Sequence, residues 1–350
     1  MSRPKGGDWL KQIRYGNLLG HVALYCKVIM ANVVFVYSWN TQSCIPNPFD
    51  CSTLVAKIIA ADATLVVIAL QEDATGSGIV ESIHAALPQE YTLVHALYLP
   101  GWGATTVKAA VRKFTYISRG VHLAIFSKAP APVTVTATRH IIFPSMYNWL
   151  THGKGAVAIT VEFACGFRAT FLNVHAPFSS IVNRNEYIDW QAHCVRYACE
   201  QALADKNSGE LFLLGDLNFR VQCGELAANV IADKMLTDAG RKELLENDEL
   251  TILKTYAGVL PNLAEGCGAL GSAQGPQFAP TFKLHHSRDP ANLMTSDYRT
   301  GKTNSRAPSW CDRILYSRLP RIECVEYNRI DTDSMTGSDH AGVYGIFTIL

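Results

Sequence analysis

The stretch ELFLLGDLN (210–218) points to the fold most directly, because an apolar run of strand length ends abruptly in Asp216 and Asn218. Two residues apart on an extended chain, these side chains face the same way. Runs of the same kind, rich in Val, Ile, Phe and Thr and bounded by polar or turn residues, predict strands along the whole chain. They occupy residues 32–40, 64–72, 122–128, 156–163, 169–178, 312–318 and 341–350.

Helical patterns lie between these runs. After Asn183 apolar residues recur every three or four positions, which predicts a helix with one buried stripe. We predict a second helix from about Glu225 to Glu246 and a loop over the Gly-, Pro- and Ala-rich segment 257–280. Strands continue on both sides of that loop in the same style, so the sequence favours one α/β domain.

The composition restricts the class of protein. Of 350 residues, 48% are hydrophobic and 17% charged, which is typical of a globular chain. The 31 Lys and Arg nearly cancel the 30 Asp and Glu, so a strongly basic arm for nucleic acid is excluded, although a local basic patch is not. Residues Leu18–Tyr37 are the most apolar stretch but carry His21 and Lys27, so they do not qualify as a membrane span.

The ten cysteines are scattered and form no Cys-x-x-Cys pair. Most lie in apolar runs, where a free thiol behaves as a small hydrophobic group. We therefore expect reduced thiols, no zinc site and an intracellular protein.

Polar side chains suited to metal and proton chemistry lie at the ends of five of the predicted strands, in the last case just before the strand begins. Taken singly, each has an ordinary interpretation: a Glu after a strand usually starts a solvated loop, and a His there is usually hydrogen-bonded in the core. Together they predict a site built on a rigid scaffold. They are Asn40, Glu72, His175, the pair Asp216 and Asn218, and the pair Asp339 and His340.

These residue types favour hydrolysis assisted by a hard metal ion. Glu72 and Asn40 offer the oxygen ligands that Mg²⁺ prefers, and too little sulfur or imidazole accompanies them for zinc. Asp216 is placed to accept a proton from an attacking water. His340 can act as an acid or as a cation in the transition state if a carboxylate orients it, and Asp312 is the candidate partner.

Several motifs carry a resemblance to a known family. In chain order they are SWN (38–40), LQE (70–72), GKGAVAI (153–159), NVHAPF (173–178), GDLNFR (215–220), PTFKL (280–284), PSWCDRIL (308–315) and SDHAGVYGIF (338–347). The sequence resembles the inositol polyphosphate 5-phosphatases, within the wider exonuclease–endonuclease–phosphatase superfamily. GDLN with SDH specifies only the superfamily, whereas PTFK and PSWCDR together are specific to these phosphatases.

The resemblance implies a four-layer α/β/β/α sandwich of two mixed sheets flanked by helices. The catalytic domain would span 32–350, with 1–31 as an N-terminal extension packed on it. The implied reaction is Mg²⁺-dependent hydrolysis of the 5-phosphate of phosphoinositides, soluble inositol polyphosphates or both. The nucleophile would be an activated water, since no Cys-x₅-Arg signature of cysteine phosphatases is present.

By motif position, the resemblance also assigns residues. Glu72 would be the principal Mg²⁺ ligand, assisted by Asn40. The implied catalytic residues are His175, Asp216, Asn218, Asp312, Asp339 and His340. The implied substrate-binding residues are Lys154, Lys283, Tyr298 and Lys302.

Within this scheme the residues have distinct implied roles. Asp216 would activate or position the water, with Asn218 beside it. His340, held by Asp312, would face the scissile phosphate.

The remaining implied roles concern the same phosphate and its neighbours. His175 would contact the scissile phosphate as well, Asp339 would support the metal or the water, and Lys283 would clamp a neighbouring 4-phosphate. Phe219, where tyrosine is usual, and Gly153, where asparagine is usual, depart from the family pattern and bear on substrate preference.

The implied partners are phosphatidylinositol 4,5-bisphosphate or related phosphoinositides, inositol polyphosphates and, transiently, a membrane surface, but no nucleic acid. We expect a cytoplasmic protein with peripheral, transient membrane association. Two alternatives stay open. One is a nuclease or sphingomyelinase of the same superfamily, and the other is a catalytically silent module that binds lipid headgroups.

Overall fold

The computed structural model describes residues 32–44, 49–74, 77–101, 119–130, 133–144, 154–178, 184–222, 228–235, 237–256, 258, 260–267, 275–290, 298 and 307–350. The predicted N-terminal extension, residues 1–31, lies outside this part of the chain. The strands are β1 (Asn32–Asn40), β2 (Leu65–Ala74), β3 (Tyr91–Leu99), β4 (Arg119–Lys128), β5 (Val133–Ile141), β6 (Gly155–Phe163), β7 (Arg168–His175), β8 (Glu210–Asp216), β9 (Leu263–Glu265), β10 (Asp312–Ser317), β11 (Ile322–Ile330) and β12 (Gly342–Ile349). The helices are α1 (Ser52–Ala60), α2 (Ile79–Ala86), α3 (Arg184–Leu203), α4 (Ala228–Met235), α5 (Asp238–Glu246) and α6 (Glu249–Tyr256).

The strands form two six-stranded mixed sheets. The first has the order β11-β12-β1-β2-β4-β3, and the second has the order β5-β6-β7-β8-β10-β9. In each sheet one central pair is parallel, β1 with β2 and β7 with β8, and the other pairs are antiparallel. The two parallel pairs bring the carboxyl ends of four strands to one end of the molecule.

The sheets pack face to face, and helices cover their outer faces. Val36 and Val67 of the first sheet belong to one buried cluster with Ile159 and Leu214 of the second. The alternate residues of the first sheet, such as Phe35, face outward, because successive side chains of a strand point to opposite faces. The predicted four-layer α/β/β/α sandwich is confirmed.

Each outer face has its own buried cluster. Outside the first sheet, Ile58 of α1 and Ile83 of α2 pack with Val66. Outside the second sheet, Val195 of α3 packs with Val174. Because both faces of the central strands are covered, their sequences read as nearly continuous apolar runs.

All eight predicted strands and the helix after Asn183 are present. The single helix predicted from about Glu225 to Glu246 is wrong, because α4 and α5 are separate. Thr237 is extended (φ −123°, ψ 148°), and its side chain accepts a hydrogen bond from the Gly240 N–H, so it caps α5. The predicted loop 257–280 contains the short strand β9. The helices α1, α2 and α6 and the strands β3, β5 and β11 were not predicted.

None of the helices in the described part of the chain is long and apolar enough to cross a lipid bilayer.

Candidate active site

A polar cleft of about 370 Å³ lies where the carboxyl ends of the parallel strands meet. It brings together side chains that are far apart in sequence: the Asn40 amide Nδ2 donates to Asp216 Oδ2 over 2.8 Å across 176 positions. Its walls carry both carboxylates and cationic side chains. The lining residues are Asn40, Gln42, Glu72, Arg119, Lys154, Phe178, Asp216, Asn218, Arg220, Phe282, Lys283, Asp339 and His340.

Glu72 occupies a β-bulge and not the end of a strand. Strand β2 continues to Ala74, and its register against β4 shifts between Gln71 and Asp73. Glu72 itself has a positive φ of 50°, which is rare for a residue with a side chain. The bulge directs the carboxylate into the cleft, as bulges beside active sites do.

The loop after β1 holds this bulge in place. Thr41 Oγ1 and the Ser43 N–H both donate to the Glu72 carbonyl oxygen, over 2.9 and 3.1 Å. The predicted position of Glu72, at the end of a strand, is therefore corrected, since the strand continues through it to Ala74.

Arg119 and His175 both approach the Glu72 carboxylate. Arg119 Nη1 donates to Glu72 Oε2 over 3.0 Å, and His175 Nε2 lies 3.7 Å from Oε1. Burial alone would raise the pKa of Glu72, but Lys154, His175 and Arg119, with a smaller contribution from His340, together lower it. Glu72 is therefore ionised at neutral pH. Sequence reasoning missed Arg119, which precedes the apolar run of β4 and belongs to no quoted motif.

Asp216 is held by donors on both carboxylate oxygens. Asn40 Nδ2 donates to Oδ2, the Asn218 N–H donates to Oδ1 over 3.0 Å, and His175 Nε2 lies 3.5 Å from Oδ2. Burial acts to raise the pKa of Asp216, but His340 and His175 outweigh it and lower the pKa. Asp216 therefore presents a fixed anion to the cleft.

Lys154 and His175 form a contact at the side of the cleft. Lys154 Nζ lies within hydrogen-bond distance of His175 Nε2. Strand pairing places His175 directly opposite Asp216 on one side and Gly155 on the other. The register of three strands therefore fixes the position of the imidazole.

Asn218 is fixed by protein groups. It has a positive φ of 59°. Its Nδ2 donates to the Ala176 carbonyl over 2.9 Å, and its Oδ1 accepts from Arg220 Nη2 over 2.6 Å. The amide therefore orients Arg220 and stiffens the turn after β8.

Arg220 lies between two aromatic rings. Its guanidinium is 4.1 Å from the centroid of Phe282 and 4.5 Å from that of Phe178, and the residue is 7% exposed. Its Nε and Nη1 are buried without a hydrogen-bond partner among the described residues. A buried guanidinium with unused donors beside the cleft suits an anionic ligand.

His340 is oriented by a buried carboxylate. Its Nδ1 lies 2.9 Å from Asp312 Oδ2, which also accepts from Thr281 Oγ1 over 2.6 Å. Burial alone would lower the pKa of His340, but Asp312, aided by Asp216 and Asp339, raises it to about 9. His340 is therefore an imidazolium at neutral pH, with Nε2 3.8 Å from Asp339 Oδ1.

The PTFKL segment (280–284) carries Phe282 and Lys283 to the cleft and Thr281 to Asp312 behind it. Its backbone pairs with Ser309 on one side and with residues 339–341 on the other. Tyr298 supports this segment from behind, since its hydroxyl donates to the Pro280 carbonyl over 3.0 Å. Tyr298 is 7% exposed and is not among the residues that line the cleft.

The two sheets are locked together beneath the cleft. Gln71 Nε2 donates to Asn173 Oδ1 over 2.7 Å, and Asn173 Nδ2 donates to the Leu70 and His122 carbonyls. Gln71 precedes the bulge and Asn173 precedes His175 by two residues. This buried amide pair therefore sets the distance between the two halves of the site, a role that no local pattern reveals.

Most of the predicted site residues meet in the cleft. The cleft is lined by Asn40, Glu72, Lys154, Asp216, Asn218, Lys283, Asp339 and His340, with His175 and Asp312 in contact behind them. Tyr298 lies behind the PTFKL segment, and Lys302 falls outside the described residues. The roles of these residues stay predictions.

The donor set fits a hard divalent cation. Glu72, Asp216 and Asp339 supply carboxylate oxygens, and Asn40 Oδ1, which accepts from the Gln42 N–H, has a second lone pair. Asp216, Asp312 and His340 also offer one ligand atom each within 4.8 Å of one another. Since Asp312 and His340 bind each other, the oxygen donors around Glu72 and Asp216 are the better cradle.

Comparison with known proteins agrees with this geometry. A sequence profile described as endonuclease/exonuclease/phosphatase family 2 matches residues 38–346. Phosphatidylinositol 3,4,5-trisphosphate 5-phosphatase 1 of Xenopus laevis is 30% identical over 139 residues, which are 40% of this chain and 13% of that protein. The chain therefore spans a small part of the length of this relative. The predicted resemblance to the 5-phosphatases is confirmed.

Solved structures show the same fold. The inositol polyphosphate 5-phosphatase domain of a synaptojanin, in complex with inositol (1,4)-bisphosphate and a calcium ion, superposes with a TM-score of 0.66 at 18% identity, covering 95% of this chain and 90% of that one. A Cimex nitrophorin in its ferrous NO complex reaches 0.61, also at 18% identity, covering 91% and 99%. Because proteins with such different ligands share it, the fold alone does not decide the function.

Proposed function

We propose that this chain, which belongs to endonuclease/exonuclease/phosphatase family 2, is a Mg²⁺-dependent phosphomonoesterase. It would remove the 5-phosphate of phosphoinositides or inositol polyphosphates. One observation carries the proposal: three carboxylates and four Lys or Arg side chains line the same small cleft. The carboxylates suit a cation, and the surrounding cations suit a ligand with several phosphates.

Glu72 and Asn40 would hold the Mg²⁺ ion, with Asp216 beside them. When bound, such an ion neutralises charge on the phosphoryl oxygens. The bulge at Glu72 and the Asn40–Asp216 hydrogen bond support this assignment, because they prepare the oxygen donors before any ion binds.

Asp216 would orient the attacking water. Its lowered pKa makes it a weak base, so it contributes by accepting a hydrogen bond from the water and by taking the proton as the water becomes acidic in the transition state. Its two donors, Asn40 and the Asn218 backbone, keep the carboxylate from rotating.

His340 would stabilise the transferring phosphoryl group. Its imidazolium is charged at neutral pH, and Asp312 fixes its orientation through Nδ1, so Nε2 is the nitrogen left to face the cleft. A preorganised cation in a dry site stabilises charge that develops on phosphoryl oxygens. His340 can also donate its Nε2 proton to the leaving oxygen.

Lys154, His175 and Lys283 would bind the phosphates of the substrate. Lys154 and His175 lie beside Glu72 and Asp216, so both would contact the scissile phosphate. Lys283 follows Phe282, whose ring contacts both Arg220 and His340. From this position Lys283 would bind a phosphate on the inositol carbon next to the one that carries the scissile phosphate.

The proposed substrate class rests on the cationic side chains that line the cleft. A phosphoinositide headgroup and a soluble inositol polyphosphate carry the same phosphates, and the carboxylates and cations of the cleft suit either one. We propose a cytoplasmic enzyme that touches membranes transiently to reach phosphatidylinositol 4,5-bisphosphate.

The test is phosphate release from phosphatidylinositol 4,5-bisphosphate vesicles and from soluble inositol 1,4,5-trisphosphate, each with Mg²⁺ and then with EDTA. Release with Mg²⁺ that EDTA abolishes is expected for at least one substrate, and the ratio of the two rates identifies the preferred form. Asp216→Asn should reduce release by several orders of magnitude, because it removes the anion that orients the water.

A matched control is Lys242→Ala, since Lys242 is 80% exposed in a surface pair on α5 and does not line the cleft. Its turnover should equal that of the unaltered protein. Folded protein that releases no phosphate from either substrate, but nicks DNA with Mg²⁺, would contradict the proposal in favour of a nuclease.

A further inference from the structure

Two cysteines outside the cleft lie close enough to react with each other. Cys267 Sγ and Cys324 Sγ are 2.8 Å apart, although the residues are 57 positions apart in sequence. This separation is less than 1 Å longer than the S–S bond of about 2.05 Å in a disulfide.

The two thiols belong to different sheets. Cys267 follows β9 and Gly266, at one edge of the second sheet, and Cys324 lies in β11, at one edge of the first. The register of β11 against β12 shifts just after Cys324, so this strand bends at that point. The neighbouring backbone is anchored, since Tyr316 donates to the Gly266 carbonyl over 3.0 Å.

The two sulfurs have different environments. These suit Cys267 to attack an oxidant and Cys324 to resolve the resulting mixed disulfide. Cys267 is exposed, whereas Cys324 is 8% exposed. The hydrogen bond from Cys324 lowers the pKa of Cys267, and the same contact, with burial, raises the pKa of Cys324. An exposed thiol with a lowered pKa is the more reactive partner in thiol–disulfide exchange.

Other thiols in the described part of the chain are less suited to oxidation. Burial raises the pKa of Cys44, Cys51, Cys194, Cys199 and Cys311. Cys165 is exposed, and its contact is with the Asn32 amide and not with a second thiol.

We propose that Cys267 and Cys324 form a reversible intramolecular disulfide, which makes this pair a site of redox modification. The oxidant is a low-molecular-weight disulfide such as glutathione disulfide. The Cys267 thiolate attacks one sulfur of the oxidant, forming a mixed disulfide and releasing one glutathione thiolate. Cys324 then loses its proton and attacks the Cys267 sulfur, which forms the protein disulfide and releases the second glutathione.

The cross-link would close a loop that carries part of the proposed active site. Thr281, Lys283 and Asp312 all lie between the two cysteines in sequence. A disulfide restricts the unfolded chain, and the effect grows with the length of the closed loop. Because the two sulfurs are already close in the fold, the oxidised protein should be the more stable form.

The proposal is tested by incubating the full chain with glutathione disulfide, blocking free thiols and mapping peptides without reduction. A peptide pair joined through Cys267 and Cys324, lighter by two hydrogens than the sum of its parts, is expected. The melting temperature should rise by several degrees on oxidation and return on reduction with dithiothreitol.

Three variants separate the proposal from general thiol oxidation. Cys324→Ala should leave Cys267 as a glutathione mixed disulfide and abolish the rise in melting temperature. Cys267→Ser should prevent both products and should leave the fold intact, because this side chain is exposed. The control Cys165→Ser should form the cross-link as the unaltered protein does.

Two results would overturn the proposal. One is accumulation of the mixed disulfide on Cys267 in the unaltered protein without closure to Cys324. The other is a cross-link that joins Cys267 mainly to a different cysteine. Neither measurement depends on phosphatase activity, so the proposal stands or falls separately from the proposed function.

Discussion

Replacing Asp312 with asparagine should change the pH dependence of phosphate release, because Asp312 keeps His340 protonated. The pKa of His340 is raised from 6.5 to about 9 even though burial opposes the charge. A rise of this size corresponds to about 3.4 kcal/mol of preference for the imidazolium. In Asp312→Asn, only Asp216 and Asp339 would still oppose the lowering of the His340 pKa by burial. The pKa of His340 should therefore fall toward 6.5 or below.

The magnitude follows from the protonated fraction of His340. At pH 8 a group with a pKa of about 9 is about 90% protonated, and one with a pKa of about 6.5 is only about 3% protonated. The rate of phosphate release by Asp312→Asn should therefore fall about 30-fold at pH 8 from the loss of the His340 proton alone. At pH 6 the same effect should lower the rate less than about twofold. Misorientation of the imidazole adds a further loss that is similar at both pH values.

The same shift links stability to pH. The pKa of His340 is higher in the folded protein than in the unfolded chain, so protonation of His340 stabilises the fold. This contribution to the free energy of unfolding is fully present below pH 6.5 and disappears as the pH rises through about 9. The melting temperatures of the unaltered protein and of Asp312→Asn should differ most near pH 6 and converge toward pH 9.

The assay is a pH–rate profile from pH 5.5 to 9.5, with His340 titrated in parallel by NMR of the imidazole. Glu246→Gln is the control, because this carboxylate is exposed and pairs only weakly with a lysine at the surface. An alkaline limb and a His340 titration that stay near pH 9 in Asp312→Asn would refute the reasoning.

Three further changes test other parts of the site and the fold. Lys283→Ala should raise KM several-fold for substrates with a 4-phosphate while leaving those without it unchanged, with Lys242→Ala as the control; equal effects on both would reject the clamp. Arg119→Ala should lower the Mg²⁺ concentration needed for half-maximal activity, because it removes the cation that pairs with Glu72 over 3.0 Å; an unchanged metal titration would contradict this. Arg313→Leu should cost about 3–5 kcal/mol of unfolding free energy, because two buried carboxylates lose their partner; denaturant unfolding with a midpoint near that of the unaltered protein would show otherwise.

The sequence predicted the parts of the site whose signal is local. Asp216 and Asn218 were found because a strand ends there, and strand ends are visible as a change from apolar to polar residues. His340 was found in the same way before β12. The PSWCDR motif was recognised, but the structure adds that Arg313 binds Asp248 and Glu265 in the core.

Other parts of the site depend on contacts between distant segments. The bulge that directs Glu72 exists only in the pairing of β2 with β4, and Arg119 reaches it across that pairing. Thr281 and Asp312 meet because the PTFKL segment packs against the start of β10, and Tyr298 supports that segment from behind. The break at Thr237 was missed because a capping residue inside an apolar periodic pattern does not interrupt the period.

The sequence by itself determined eight of the strands, the outer helix α3 and the identity of the main polar groups, because burial imposes a period on each strand and helix that can be read residue by residue. The tertiary structure alone decided the bulge at Glu72, the Gln71–Asn173 lock between the sheets, the stacking of Arg220 and the meeting of Cys267 with Cys324. Each of these depends on the distance between segments far apart in the chain, and that distance is set only when the two sheets pack against each other.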